Sequence, residues 1–263
     1  MNKRVLGFGA HPDDVEILFS GTLLLLKELG YEVHIATMTL GDCGSDELSQ
    51  EEISQVRRSE AEKSCQLLGA DYHYAGFTDF CVLEGDSSNR KAAAVLREVN
   101  PSVVFTHPPS DYMNDHEVAS KLVRNACFIG PVPNYDTSEF GSTGLVSAIP
   151  HLYYAQPVEN KDIFGNRVVP HFYVDISDLI DRKADLLACH QSQRDWLRDH
   201  HGMDEYLDSM RRWNADLGQA ASQLAGRTIK YAEGFTQHLG HAYPQDNVLK
   251  ELLPERIVEA TEA

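Results

Sequence analysis

The chain has 263 residues, 42% of them hydrophobic, enough for one sizeable α/β core. Its 40 acidic and 23 basic residues give a formal net charge of -17, a surface that repels phosphate backbones and anionic bilayers. Nucleic-acid and membrane partners are therefore not expected, and a small neutral or cationic substrate remains compatible.

The opening "MNKRVLGFGAHPDD" carries too short an apolar segment for a signal peptide, and "TLLLLKELG" is too short to span a bilayer. Cys43, Cys65, Cys81, Cys127 and Cys189 are odd in number and scattered, with no C-x-x-C pair. That argues against a disulfide framework or a cysteine zinc site, and for reduced thiols in a cytoplasmic protein.

"RVLGFGA" (4–10) predicts a buried strand, and "DVEILFSGTLLLLKELG" an apolar-faced helix ending at Gly30. "EVHIATMTLG" predicts a second strand, followed by the Gly/Ser/Asp-rich loop "GDCGSDELSQ". Ser49 and Glu52 form a capping-box pattern opening a helix that Gly69 stops. "DYHYAGF", "NRKAAAVLREVN", "SVVFTHPP" and "DHEVASKLVRNACF" continue the alternation as strand, helix, strand and helix. The Gly- and Pro-punctuated stretch 130–150 predicts a long loop of the kind that often carries function. "HLYYAQ" and "HFYVDIS" predict two late strands. One helix is expected from Ser177 or Asp178 through "DHHG", another near 203–227, and a tail that packs on the surface or frays. The alternation predicts a Rossmann-like three-layer α/β/α sandwich with a mostly parallel sheet. One domain over 1–263 is expected, its C-terminal helical region (about 177–263) packed on the rest.

Open parallel sheets bind ligands beyond the carboxyl ends of their strands. Two such ends carry metal-ligand residue types: "AHPDD" after the first strand and "THPPSDYMNDH" after a later one. A catalytic zinc takes about three His or carboxylate ligands and keeps one position open. His11 and Asp14, three apart in a tight turn, and His116 at a helix start fit that count, leaving Asp13 as a general base. The bland alternative is two solvated turns in which an aspartate, such as Asp115, caps the next helix. Gly7-Phe8-Gly9 does not make a dinucleotide fingerprint, because Pro12 stands at the third glycine and two aspartates would repel a pyrophosphate.

These segments resemble the LmbE-like (PIG-L) zinc deacetylases. "AHPDDVE", "MTLGDCGS", "RRSEAEKSCQLLGA", "HPPSDYMNDH", "YVDISDLIDRKADLLACHQSQ" and "YAEGF" match that family's motifs in order, over about residues 4–235. The resemblance implies zinc ligation by His11, Asp14 and His116, with Fe2+ as an alternative ion, and Asp13 as the base. It implies a substrate-pocket role for Arg57 and an orienting role for Asp115. Tyr112 and Met113 fall at the substrate side, and Ser192-Gln193 match the family's "SQ" position. The implied reaction is removal of an N-acetyl group from an N-acetylglucosamine-type sugar or sugar conjugate, and the resemblance is compatible with a homo-oligomer. Alternatives are another amide, such as an amino-acid–sugar conjugate, or a metal-binding homologue without catalysis. Met113 stands where many members have a histidine that stabilises the oxyanion or protonates the amine, and a thioether does neither. Tyr112, His190, His200 and His201 are the candidate substitutes. His107 and Asp111 are read as structural groups or as supports of the metal ligands, and His34 and His73 as structural.

Overall fold

The structure is a computed structural model that describes residues 2–201 and 205–260, with His200 and His201 described only in their backbone. Eight strands form one sheet: β1 (Arg4–Gly9), β2 (Glu32–Thr37), β3 (Asp71–Tyr74), β4 (Val103–Thr106), β5 (His151–Ala155), β6 (Phe172–Asp175), β7 (Ala232–Gln237) and β8 (Ile257–Glu259). Their spatial order is β3-β2-β1-β4-β5-β7-β6-β8. Strands β1 to β5 pair in parallel, as the alternation predicts. Strands β7, β6 and β8 extend the sheet in antiparallel fashion. The chain leaves β1 toward β2 on one side and returns to β4 on the other, so the crevice between the ends of β1 and β4 is the switch point.

The helices are α1 (Asp14–Leu18), α2 (Ser20–Glu28), α3 (Gln50–Leu68), α4 (Asp86–Val99), α5 (Asn114–Ile129), α6 (Ile180–Leu187), α7 (Gln191–His201), α8 (Tyr206–Ala225) and α9 (Val248–Leu252). Side chains alternate across the pleat. Val5, Val33, Val103 and Phe105 join Phe19, Leu23 and Leu187 in one core, whereas Leu6, Phe8 and Val104 join Ala93, Leu96 and Leu122 in another. The expected capping box is present at α3: Ser49 Oγ accepts from the Glu52 N–H, and Glu52 accepts from the Ser49 N–H. The loop after α5 is held by the buried guanidinium of Arg97, which donates to the carbonyls of Gly130, Val132 and Tyr135.

Several boundaries differ from the sequence pattern, each for a long-range reason. The first helix breaks at Phe19, whose ring packs where a Cβ on Gly7 would stand 2.8 Å away. The new start of α2 is held by Glu233 of β7, which accepts from the N–H groups of Gly21 (2.8 Å) and Thr22 (2.7 Å). Glu233 also meets Lys183 Nζ of α6 at 2.6 Å, with both side chains fully buried, and Lys183 reaches Asn214 of α8. The expected helix from 177 divides into α6 and α7, and Ser192 in the first turn of α7 donates to Glu60 through both its N–H (2.8 Å) and its hydroxyl (2.6 Å). Asp115 does not cap α5: Met113 holds that position and Asp115 lies within the first turn. The tail does not simply fray, because α9 and β8 order it against β6. No helix among the described residues is long and apolar enough to cross a membrane.

Glu233 joins α2, α6 and β7, so removing it leaves a buried ammonium without its counter-charge and two buried N–H groups without a partner. Glu233→Ala is expected to lose about 3–5 kcal/mol in denaturant unfolding. Glu159→Ala, at the exposed Lys161 pair, is expected to lose no more than ~1 kcal/mol.

Candidate active site

The register that sets Phe8 opposite Thr106 brings the residues after β1 and β4 side by side. Beyond β1 the chain turns sharply. Asp13 adopts a left-handed φ of 102°, and Asp14 folds back so that its Oδ2 accepts from the N–H groups of Ala10 (2.9 Å) and His11 (2.6 Å). A Cβ on Gly9 would stand 2.9 Å from Asp14 Cβ, so this strand end requires glycine.

Three side chains converge on the fixed carboxylate. His11 Nδ1 lies 3.5 Å from Asp14 Oδ2, His116 Nε2 lies 3.4 Å from Oδ1, and His107 Nε2 lies 2.9 Å from Oδ2. One ligand atom from each of His11, Asp14 and His116 lies within 4.8 Å of the others, a group that could hold a metal ion. The bland possibility of two unrelated solvated turns is thereby removed: Asp13, Asp14, Asp115 and His116 are all buried and His11 nearly so.

The far nitrogens of the two histidines also have carboxylate partners. His116 Nδ1 lies 3.1 Å from Asp111, and His11 Nε2 lies 3.0 Å from Asp79 and 3.4 Å from Asp115. Metal-ligating histidines use such carboxylates to fix their tautomer and ring orientation. The electrostatics suit a cation. Burial opposes charge on His11, but the carboxylates of Asp115, Asp14 and Asp79 outweigh it and hold the imidazole well above its usual value. Burial would raise the Asp14 carboxyl, but His116 and His107 hold it well below the usual range.

Asp13 points to another partner, the hydroxyl of Tyr206 in α8, which donates to its Oδ2. Burial, with the negative charge of Asp14 beside it, pushes the Asp13 carboxyl up to about 6. Arg57 lies buried beneath the loop after β2, where Cβ atoms on Gly41 or Gly44 would collide with its guanidinium. It donates to the Gly44 carbonyl, its Nε has no hydrogen-bond partner, and its charge acts on Asp13 and Asp79. Tyr112 is 68% exposed and sits edge-on to His116, with ring centroids 5.3 Å apart. Met113 is half-buried beside it.

Asp115 accepts from the Phe80 N–H at 2.8 Å while flanking His11. His107 stacks on His116 with centroids 4.0 Å apart, and its Nδ1 is buried without a partner. His34 and His73 contact each other across β2 and β3 at 3.1 Å, apart from the cluster. His190 is buried against Glu16 at 3.3 Å, while the side chains of His200 and His201 lie outside the described residues. Asp79 and Tyr206 are absent from every motif that the sequence offers. Asp79 follows β3 in "GFTDF", and Tyr206 lies 193 positions from its partner.

The arrangement defines a Rossmann-like α/β protein with a His/Asp cluster, fit for a divalent ion, at the switch point of its sheet. Residues 6–127 match the family described as "PIG-L: GlcNAc-PI de-N-acetylase". Among relatives, it is 24% identical over 240 residues to the 4-oxalmesaconate hydratase of Pseudomonas putida, covering 88% of each chain. It is 27% identical over 220 residues to a probable N-acetyl-alpha-D-glucosaminyl L-malate deacetylase 2 of Bacillus cereus, covering 80% of this chain and 92% of the relative. The N,N'-diacetylchitobiose deacetylase of Pyrococcus horikoshii shares the fold at a TM-score of 0.73 and 24% identity, covering 94% of this chain and 88% of that one.

The carboxylate partners of the histidines give a test that needs no substrate. Asp79→Asn and Asp111→Asn are each expected to weaken zinc binding roughly ten- to a hundredfold in a chelator competition. The exposed Asp71→Asn should leave it unchanged.

Proposed function

We propose that the chain is a metal-dependent hydrolase that removes the acetyl group from the nitrogen of an N-acetylglucosamine-type sugar or sugar conjugate. One observation carries this reading: a single buried turn supplies two potential ligands, His11 and Asp14, and between them a carboxylate that a separate helix holds. The family description and the deacetylase relative support it.

His11, Asp14 and His116 would hold the ion, and their mixed nitrogen and oxygen donors suit zinc, with Fe2+ also acceptable. A divalent ion at that place polarises the amide carbonyl and acidifies water. Asp13 accepts the proton of the attacking water on the oxygen that Tyr206 leaves free, and returns it to the leaving amine. Its carboxyl, raised to about 6, is basic enough to take that proton and acidic enough to release it near neutral pH. Asp79, Asp111 and Asp115 orient the two histidines. The exposed Tyr112 ring and Met113 line the side from which a sugar would approach, while Arg57 steadies the negative charge of Asp13. The substrate is a small sugar-containing molecule. The cytoplasmic location and the single-domain organisation belong to the same proposal, the former supported by five unpaired cysteines.

A second reading is favoured by one finding: the hydratase relative matches 88% of this chain as well as 88% of its own. The same cluster and base would then add water to an electron-poor carbon–carbon double bond. Met113 is compatible with this reaction, because hydration expels no amine.

Acetate release from N-acetylglucosamine and N,N'-diacetylchitobiose, run beside hydration of 4-oxalmesaconate, separates the two. Acetate release from the zinc-loaded protein is expected. Asp13→Asn should lower that turnover about 10²- to 10⁴-fold with zinc retained. Hydration without acetate release would overturn the deacetylase reading in favour of the second.

A further inference from the structure

Asp13 is the proton-handling group of the proposed reaction, yet its own turn does little to aim it. Its left-handed backbone keeps the turn tight but leaves the direction of the carboxylate to other contacts. Asp14, by contrast, is fixed by two N–H groups and by the surrounding histidines. The bond that fixes Asp13 comes from the first turn of α8, where Tyr206 is 5% exposed.

We propose, building on the hydrolase reading, that Tyr206 is a positioning residue that ties down one oxygen of Asp13 so that the other faces the attacking water. The phenol suits the task. Burial and the Asp13 charge keep it protonated, so it acts as a donor and does not compete for the proton. Its place is set from below. Met210, one turn on, is fully buried in the core, and Asn214, two turns on, accepts from Lys183 of the buried Lys183–Glu233 pair. The C-terminal helices thus aim the base that the N-terminal turn presents. The demand on aim is high here, because Met113 offers no second group to move a proton. A positioning error of about 1 Å can cost a hundredfold in rate.

The experiment uses the zinc-loaded full chain and Tyr206→Phe, which keeps the ring and deletes the hydroxyl. With N,N'-diacetylchitobiose as probe, kcat is expected to fall about ten- to a hundredfold with KM and bound zinc nearly unchanged. A second readout needs no turnover: the thermal midpoints of Tyr206→Phe, Asp13→Ala and the double variant. The Tyr206→Phe shift should shrink to less than about half in the Asp13→Ala background, since the partner is already gone. Wild-type kcat in Tyr206→Phe, or an equal midpoint shift in both backgrounds, would overturn the assignment. Should the wild type release no acetate, the hydrolase reading fails by itself and the thermal cycle still decides whether Tyr206 holds Asp13.

Discussion

The Asp14 carboxylate is the contact on which the site depends. One of its oxygens closes the turn after β1 through the N–H groups of Ala10 and His11 and receives His107 from the end of β4. The other faces His116 from α5. A buried carboxylate without partners would be too costly to keep charged. Here it is satisfied by groups from both strands of the switch point, so the crevice and the ligand cluster are one structure. Parallel pairing of β1 with β4 sets the spacing, and glycine at position 9 lets the carboxylate approach the strand.

Around that carboxylate the charges form a graded shell. Asp111 and Asp79 face the outer nitrogens of His116 and His11, and Asp115 bridges His11 to the backbone of Phe80. This surplus of negative charge is what a divalent ion would neutralise. Asp13 stands apart from it. Burial favours its neutral form, whereas Asp14 is driven to stay charged. Two adjacent aspartates thereby acquire different chemistry from their surroundings alone, one suited to ligation and one to proton transfer.

How much of this the sequence shows depends on how far each contact reaches along the chain. "AHPDD", "NDH", the Ser49–Glu52 capping box and the parallel half of the sheet are local patterns, and the structure brings each to its expected place. The break at Phe19 could not be read locally, because the group that starts α2 afresh is Glu233, about 212 positions away. Likewise the bonds by which Ser192, at the "SQ" position, anchors α7 on Glu60 span 132 positions. Tyr206 and Asp79 carry no spacing signal, since what makes them relevant is a fold that brings α8 and the loop after β3 to the same crevice. The unpredicted strands β7 and β8 belong to an antiparallel part of the sheet that the βα alternation does not announce.

The central claim is that His11, Asp14 and His116 hold one divalent ion. Anomalous diffraction at the zinc edge from zinc-soaked crystals tests it most directly. One strong peak is expected within coordination distance of His11, Asp14 and His116, lost in His116→Ala, with Asp13 outside the coordination sphere. No peak there, or a peak ligated by other residues, would contradict the claim and leave the cluster a hydrogen-bonded turn.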